Sequence, residues 1–270
     1  MSPLTFLLIG QHIAYSASPP MMRAAFVSLG LSHAYERADV GPDALPGEVE
    51  RLRDPDIGGA NVTTPHKVAV AALVDALAPD AERVGAVNTV VRDDGRLVGH
   101  NTDLPALDEA ISSLCGGPPG RVVLLGGGGA GRAVGIALER CGAERVVVVS
   151  RHPEAGTAVR PGTAGWRSLP QLLSETDLLV NATPIGTAAD ETPVAPELLR
   201  PGLAVLDLVY RPSPTRLVRE ARAAGARACA GAGVLLGQGR RSLELWLDRP
   251  APVEAMRAAL RAELGEDADV

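Results

Sequence analysis

The chain has 270 residues, enough for one large domain or two of ordinary size, and 46% of them are hydrophobic, as in a soluble globular protein. A formal net charge of −6 argues against a nucleic-acid partner, and no apolar run approaches the roughly 20 residues that a membrane span requires. Cys115, Cys141 and Cys229 are scattered without paired spacing, which indicates reduced thiols in a cytoplasmic protein and predicts neither a disulfide framework nor a metal site.

In chain order, the first part of the sequence predicts strands interspersed with helices. Turn-rich segments separate short apolar runs that are typical of strands. The predicted strands of this part cover residues 6–9, 56–62, 87–91 and 96–100, the last two forming a hairpin. The predicted helices begin near residue 20 and cover residues 68–77 and 105–114.

A second pattern begins after the glycine- and proline-rich loop 115–120. Its strands cover residues 122–125, 145–149, 178–180 and 203–208. Helical stretches lie between them, the first at 130–141, and a final amphipathic helix covers 256–264. Strands that alternate with helices predict a parallel sheet covered on both faces.

A glycine loop connects the first strand of this second pattern to its first helix. The sequence from Gly126 to Ala133 reads GGGGAGRA and matches G-x-G-x-x-G through Gly126, Gly128 and Gly131. Such glycines allow a tight turn, close approach of a pyrophosphate to the backbone, and close packing of helix on strand. The phosphates would then meet the unpaired N–H groups around Gly129 and Ala130, where the helix begins. The loop therefore predicts a dinucleotide site.

The end of the next strand favours NADP over NAD. NAD sites usually place Asp or Glu there to bind the ribose 2′-hydroxyl, whereas this chain has Ser150, Arg151 and His152, with Glu154 further along. Arg151 suits a 2′-phosphate, although a solvated charge at a strand end is the alternative interpretation. NADP is the predicted cofactor, and NAD is less favoured.

The stretch Asn61 to Lys67, NVTTPHK, contains a compositional anomaly. Of the 26 Lys and Arg residues, 25 are Arg and Lys67 is the only lysine. Arg does not release its proton at any working pH, whereas a Lys ammonium can exchange one. Composition drift would also leave a lone lysine, but a site for proton transfer is the interpretation that its neighbours favour.

Polar clusters in order along the chain carry a resemblance to a known family. They include Ser16 and Ser18, the NVTTPHK stretch, Asn88, the Asn-Thr-Asp segment that ends at Asp103, and Gln238. From Gly10 to about Trp246 the sequence resembles the shikimate dehydrogenase family, which includes quinate/shikimate dehydrogenases. The resemblance implies two α/β domains with the active site in the cleft between them. A substrate-binding domain would comprise residues 1–103 and 238–270, and a Rossmann-type NADP-binding domain residues 104–237.

The resemblance also implies a role for each matched residue. Lys67 and Asp103 would be the catalytic pair, and Ser16 and Ser18 would hold the substrate carboxylate. The implied contacts to the rest of the substrate are Asn61, Thr63, Asn88, Gln238 and Tyr210. The implied cofactor contacts are the glycine loop (Gly126, Gly128, Gly129, Ala130, Gly131), Ser150, Arg151, Ala182, Thr183, Val209 and Gly231.

Several alternatives stay open on the sequence. Asp103 could cap the helix that follows it, Ser16 and Ser18 could cap the helix near residue 20, and Gln238 could be a buried core amide. Tyr15 stands beside the carboxylate-binding serines in place of the family's histidine, so quinate or an amino-substituted analogue could be preferred over shikimate, with NAD as the possible cofactor. A non-catalytic metabolite sensor is a more distant alternative. The expected partner is a small-molecule acid, and the expected assembly is a monomer or homodimer.

Overall fold

Two sheets of six strands each carry the fold, and each sheet belongs to its own unit of the chain. The computed structural model describes residues 2–151, 162–187 and 189–270. The first unit runs up to Asp103 and includes Leu235–Glu263, and the second comprises Leu104–Val234 and Leu264–Val270. The prediction of two α/β units is confirmed. The last seven residues group with the second unit, where Arg222 donates a hydrogen bond to Asp269, whereas the predicted division left them in the first.

The first unit has a mixed sheet with helices between its strands. Its strands are β1 (Thr5–Gly10), β2 (Ala34–Asp39), β3 (Ile57–Val62), β4 (Ala76–Leu77), β5 (Thr89–Asp93) and β6 (Arg96–His100). The early helices are α1 (Ser18–Ser28), α2 (Leu45–Arg51), α3 (Lys67–Val70) and α4 (Pro79–Val84). The sheet order is β2-β1-β3-β5-β6-β4, with β1 parallel to both of its neighbours and β5 antiparallel to both of its own.

The interior strand β1 is buried on both faces because all but its first residue are apolar or glycine. Leu7 and Ile9 lie in a core cluster with residues of α2, such as Val49. On the other face Phe6 packs against Phe26 at a ring-centroid distance of 5.2 Å. A strand that is covered on both faces is expected to read as a continuous hydrophobic run, and this one does.

A glycine in β3 makes room for a tryptophan from the C-terminal part of the chain. Helix α9 (Ala232–Leu247) carries Trp246, whose Nε1 donates to the carbonyl oxygen of Val90 at 3.0 Å. Gly59 has φ of +150°, and a Cβ there would lie 2.5 Å from Nε1 of Trp246. The indole also packs against Phe6 in a tilted arrangement, with ring centroids 4.7 Å apart. Gly59 is therefore needed both for its backbone conformation and for the space that the indole fills.

His33 is buried next to Phe6 and Phe26, and its burial leads us to expect that the stability of the fold depends on pH. Its Nδ1 accepts a hydrogen bond from the backbone N of Leu4 at 3.0 Å, which requires a neutral ring, and its Nε2 is buried without a partner among the described residues. Burial lowers the pKa of His33 below its ordinary value of 6.5. The unfolded chain therefore takes up this proton more readily, and stability is lost as pH falls from 6.5 toward the lower pKa of the folded state.

We expect His33→Asn to reduce this loss, because an Asn Oδ1 can replace the Nδ1 acceptor and does not titrate. The measurement is the free energy of unfolding by denaturant, for both proteins, at pH values above and below 6.5. His100, whose pKa burial also lowers, is present in both proteins and cancels in the difference. Parallel pH profiles for the two proteins would contradict the prediction.

The second unit has an all-parallel sheet. Its strands are β7 (Arg121–Leu125), β8 (Arg145–Val149), β9 (Thr163–Ala164), β10 (Leu178–Asn181), β11 (Ala204–Asp207) and β12 (Arg227–Ala230), in the order β12-β11-β10-β7-β8-β9. Its helices include α5 (Asp103–Cys115, of which Asp103 belongs to the first unit), α6 (Gly129–Arg140), α7 (Leu169–Leu173) and α8 (Arg216–Ala223). Strand order reverses at β7, so ligands are expected beyond the carboxyl ends of β7 and its neighbours. The predicted Rossmann-type sheet is confirmed.

One predicted helix is wrong over most of its length. The apolar run 68–77 predicts a helix, but α3 ends at Val70 and residues Ala76 and Leu77 pair with β6 as strand β4. Asp75 explains the change, because its carboxylate binds Arg53 at 2.8 Å and accepts from the backbone N of Leu97 at 2.7 Å. These bonds lower the pKa of Asp75 to about 2. Tertiary contacts thus override a weak helical preference.

The C-terminal part of the first unit adds α10 (Val253–Leu264), the predicted final amphipathic helix, which begins three residues earlier than expected. Met256 and Leu260 are its buried residues, one turn apart on the same face. Among the described residues, no helix combines the length and the apolar character needed to cross a bilayer.

Candidate active site

Lys67 and Asp103 meet in the first unit although they are 36 positions apart in the chain. Lys67 begins α3 directly after the turn that follows β3, and Asp103 begins α5. The Lys67 Nζ donates to the Asp103 Oδ2 at 2.7 Å. The two side chains are 32% and 20% exposed, so the pair is anchored in the protein yet accessible to a ligand. This is the proximity that a shared proton-transfer role requires.

Asn88 holds the residue before Asp103. Its Oδ1 accepts from the backbone N of Thr102 at 2.7 Å, and its Nδ2 donates to the Thr102 Oγ1 at 3.0 Å. Both residues are buried, at 2% and 3% exposure. Two hydrogen bonds to one residue fix the direction in which the chain leaves β6, and with it the position of the Asp103 carboxylate.

The side-chain amide of Asn61 is engaged inside the unit. Its Oδ1 accepts from the Tyr35 hydroxyl at 2.7 Å, and its Nδ2 lies within 3.2 Å of acceptors on Asn88, Thr89 and Ser242. With 4% exposure, Asn61 supports neighbouring residues, and its contact with substrate stays a prediction. Thr63 is half-buried just past the end of β3.

The loop between β1 and α1 carries Ser16 and Ser18, which are 7% and 6% exposed. Ser16 Oγ accepts from the backbone N of Ser18 at 3.3 Å, so Ser16 supports the start of α1 in addition to any ligand role. The N-cap position itself is Ala17, which has no side-chain cap.

Two residues of the edge strand β2 hold this loop, and the sequence alone did not identify them. Arg37 donates to the carbonyl oxygens of Ile13 at 3.2 Å and of Ser16 at 2.8 Å. Asp39 accepts from the backbone N of His12 at 2.8 Å and of Ile13 at 3.2 Å. Residues two apart on a strand share a face, which would have indicated the pair had β2 been predicted.

Gln238 lies on α9 with 8% exposure, and its Nε2 donates to the carbonyl oxygen of Leu235 in the same helix at 2.9 Å. This bond agrees with the interpretation of Gln238 as a satisfied amide, and its substrate contact stays a prediction. No group of three or more His, Cys, Asp or Glu residues that could hold a metal occurs in the described ranges.

In the second unit the glycine loop lies at the carboxyl end of β7. Gly126 has φ of +97° and donates its N–H to the carbonyl oxygen of Val149 at 2.9 Å. A Cβ on Gly131 would lie 2.1 Å from the Gly126 oxygen, so α6 packs closely against the turn. A Cβ on Gly128 or Gly129 would meet nothing within 4 Å.

The start of α6 fits an anionic group. The helix has 12 residues, and its N-cap, Gly128, offers no side-chain acceptor to the first-turn N–H groups. These N–H groups and the helix dipole favour a phosphate, and the open space at Gly128 and Gly129 lets one approach. Ser150 and the exposed Arg151 follow the neighbouring strand β8, while His152 and Glu154 lie outside the described residues.

Asn181 and Asp207 link the loops that follow β10 and β11. The Asn181 Nδ2 donates to the Asp207 Oδ1 at 2.8 Å, and the Asn181 Oδ1 accepts from the backbone N of Thr183 at 3.0 Å. Asp207 also accepts from the backbone N of Val209 at 3.1 Å and from the Thr215 hydroxyl at 2.7 Å. Burial raises the pKa of Asp207. This hub fixes the loops carrying Ala182, Thr183, Val209 and Tyr210.

Gly231 joins the same edge of the sheet. Its backbone N donates to the carbonyl oxygen of Val209 at 3.2 Å, and a Cβ there would lie 2.2 Å from the Leu208 oxygen. The predicted cofactor residues of the second unit therefore gather at the carboxyl ends of its strands, although their contacts with a dinucleotide stay a prediction. The sequence did not predict the hydrogen bond between Asn181 and Asp207, because the two residues come from different strands.

Comparison with known proteins agrees with this arrangement. Residues 8–90 match the model of the shikimate dehydrogenase substrate binding domain, and residues 231–261 match that of the shikimate 5′-dehydrogenase C-terminal domain. The shikimate dehydrogenase (NADP(+)) of Natronomonas pharaonis is 43% identical over 263 residues, covering 95% of this chain and 98% of the relative.

Solved structures are similar over nearly the whole chain. The shikimate 5-dehydrogenase of Thermus thermophilus in complex with NADP(H) and shikimate has a TM-score of 0.86 at 38% identity, covering 97% of this chain and 100% of that one. The quinate dehydrogenase of Corynebacterium glutamicum in complex with NAD has a TM-score of 0.87 at 28% identity, covering 96% and 99%. The sequence identity to the Natronomonas and Thermus proteins extends over nearly the whole chain, so the similarity is one of sequence as well as of fold. The chain therefore belongs to the shikimate dehydrogenase family.

Proposed function

We propose that this protein catalyses reversible NADP-dependent hydride transfer between shikimate and 3-dehydroshikimate. The observation that carries the proposal is the 2.7 Å contact between the only lysine of the chain and Asp103. It lies in the unit whose sequence matches a substrate-binding domain. The Natronomonas relative, similar over 98% of its length, is named as an NADP-dependent enzyme of this kind.

The proton chemistry belongs to the Lys67–Asp103 pair. Oxidising the ring alcohol requires that its O–H proton leave while the hydride leaves the same carbon, and reducing the ketone requires that a proton return to the oxygen. Lys67 can take part in both directions because an ammonium group exchanges its proton. Asp103 holds the Nζ at 2.7 Å and so limits the positions that it can take. When bound, the nicotinamide ring of NADP would supply or accept the hydride.

Substrate binding would rest on hydroxyl and amide groups, because each ring hydroxyl of the acid both donates and accepts. Ser16 and Ser18 would hold the carboxylate, in a loop that Arg37 and Asp39 restrain. The residues proposed to contact the ring are Asn61, Thr63, Asn88, Gln238 and Tyr210.

Cofactor binding would rest on the second unit. The glycine loop and the first turn of α6 would hold the pyrophosphate, and Ser150 and Arg151 would hold the adenosine 2′-phosphate. Support comes from the absence of a side-chain cap on Gly128 and from the exposure of Arg151. The residues proposed near the nicotinamide are Ala182, Thr183, Val209 and Gly231.

The direct test is an absorbance assay that follows reduced cofactor formed from shikimate and from quinate, each with NADP and with NAD. We expect the largest kcat/KM for shikimate with NADP. A clear preference for quinate with NAD would overturn the substrate assignment. Binding of shikimate without any cofactor reduction would instead favour the metabolite sensor.

Quinate or aminoshikimate is the second candidate substrate, and Tyr15 is the observation that favours it. Its side chain is 52% exposed and directly precedes Ser16, so its bulk stands beside the proposed carboxylate site. The similar quinate dehydrogenase structure shows that this fold accommodates that activity in a relative.

Replacement of Arg151 by alanine is expected to raise the KM for NADP about tenfold or more and to change the KM for NAD little, because only NADP carries the phosphate that the guanidinium would bind. Initial rates with both cofactors measure this. Arg145→Ala, at the opposite end of β8, is the matched control and should change neither value. Equal effects of Arg151→Ala on both cofactors would exclude a 2′-phosphate contact.

We further propose a cytoplasmic location and a monomer or homodimer. The free thiols of Cys115, Cys141 and Cys229 support a reducing compartment. Sedimentation equilibrium would give the mass of the assembly, and an assembly larger than a dimer would contradict this part of the proposal.

A further inference from the structure

Six polar side chains with no formal charge are buried together in the first unit. Their exposure ranges from 0% to 4%, and they come from β2, β3, β5, the turns before β5 and α5, and α9. They are Tyr35, Asn61, Asn88, Thr89, Thr102 and Ser242, and we call them the buried polar network. Burying such groups is costly unless each finds hydrogen-bond partners, and here they bond to one another.

Ser242 lies at the centre of the network. Its Oγ is 2.9 Å from the Asn61 Nδ2, 2.8 Å from the Thr89 Oγ1 and 3.2 Å from the Thr102 Oγ1. It also donates to the carbonyl oxygen of Gln238 at 3.0 Å. A hydroxyl has one donor and two acceptor positions, so these four neighbours are more than enough to occupy all three. With 0% exposure, Ser242 cannot touch a ligand itself.

The network leads from Ser242 to groups that belong to the proposed site. Thr102 is bonded to Asn88 through both its backbone N and its side chain, and it directly precedes Asp103. Gln238 lies one helical turn before Ser242 on α9. One hydroxyl therefore connects helix α9 to the segments that present Asn88 and the proposed catalytic carboxylate of Asp103.

We propose that Ser242 is a positioning residue, which sets the placement of Asn88 and Gln238 relative to Asp103 and thereby the recognition of the substrate ring hydroxyls. The inference rests on the proposed function. Asn61, Thr89 and Thr102 each keep another hydrogen bond when the Ser242 hydroxyl is removed. Its removal therefore loosens the geometry without leaving these groups unpaired, and the fold survives.

The test compares Ser242→Ala with Leu243→Val in the full-length protein. Leu243 is the next residue of α9 and is equally buried, so its truncation weakens the core without touching the network. We expect Ser242→Ala to lower kcat/KM for shikimate about tenfold to a hundredfold, because small misplacements of positioning groups are costly, while the KM for NADP stays within about twofold. Leu243→Val should leave both values close to those of the unaltered protein.

A second readout separates positioning from loss of stability. The unaltered protein should prefer shikimate over an analogue that lacks one ring hydroxyl. Ser242→Ala should reduce this preference, because misaligned side-chain amides no longer form good hydrogen bonds with that hydroxyl. Ser242→Cys keeps the shape of the side chain, with a somewhat larger and more weakly hydrogen-bonding group, and should give an intermediate loss. It also serves as the test variant should the alanine protein fail to fold.

The outcomes distinguish the two claims. Lack of shikimate turnover by the unaltered protein would reject the proposed function and this inference with it. A different result would reject the positioning role alone. In that case the unaltered protein turns over shikimate normally, Ser242→Ala and Leu243→Val lose equal amounts of kcat/KM, and the preference for shikimate over its deoxy analogue does not change.

Discussion

Lys67→Met is expected to lower kcat about a hundredfold to ten-thousandfold while the protein stays folded and still binds shikimate. The methionine thioether has nearly the length of the lysine side chain but no proton to exchange. The expected decrease in kcat is therefore the rate enhancement that a positioned general acid or base contributes. Lys67→Arg is expected to lose turnover as well, because a guanidinium keeps its proton at every working pH. Initial rates measure kcat, and calorimetric titration measures shikimate binding.

The matched control for Lys67→Met is Arg53→Met. Arg53 lies in the same unit, its side chain is also 32% exposed, and it forms an ion pair with Asp75 at 2.8 Å. Removing this cation should leave kcat unchanged, which would separate the chemistry at Lys67 from a general effect of losing an ion pair. Full activity of Lys67→Arg would contradict the proton-transfer role.

Gly131→Ala is expected to destabilise the second unit and to abolish dinucleotide binding. The added Cβ would stand 2.1 Å from the Gly126 oxygen, a backbone atom in a turn that a hydrogen bond to Val149 holds in place. Because the turn cannot give way easily, α6 must shift, and overpacking of this kind costs about 1–3 kcal/mol. Thermal unfolding of the protein alone should show the lower midpoint.

Gly128→Ala separates ligand binding from folding at the same loop. Its φ of −75° suits alanine, and the new methyl group would meet nothing within 4 Å, so the unfolding midpoint of the protein alone should not change. The KM for NADP should rise, because the methyl group occupies the space where a pyrophosphate approaches the backbone. Gly165→Ala, also in open space but away from the loop, should change neither quantity. Equal NADP affinity in Gly128→Ala and Gly165→Ala would place the dinucleotide elsewhere.

Four strands of the second unit, β7, β8, β10 and β11, were predictable because each is a short apolar run between turn signals. The edge strands β9 and β12, with the sequences TA and RACA, were not predicted. Strand β8 covers the predicted residues 145–149, and β7 begins one residue before the predicted strand. The glycine loop was recognisable because its pattern stood between such a strand and a helix. Edge strand β2 was missed, since its sequence AYERAD buries only Tyr35 and Ala38 and shows no apolar run.

The contacts that organise the candidate site were less predictable than its residues. Lys67 and Asp103 could be named through motifs, but Ser242 lies 181 positions from Asn61, its hydrogen-bond partner, within an unremarkable helical sequence. Arg37 and Asp39 likewise act on a loop more than 20 positions away. Local sequence patterns indicate secondary-structure propensity and contacts between residues close in the chain, whereas these distant hydrogen-bond partners are determined by the tertiary packing.

The placement of Trp246 has a consequence for spectroscopy. The chain has two tryptophans, and Trp246 lies over Gly59 in the first unit, while Trp166 packs against the core of the second. Each unit thus carries its own intrinsic fluorophore. In Trp166→Phe the remaining emission comes from the indole beside Phe6, so its shift during denaturation would report the melting of the first unit separately from that of the second.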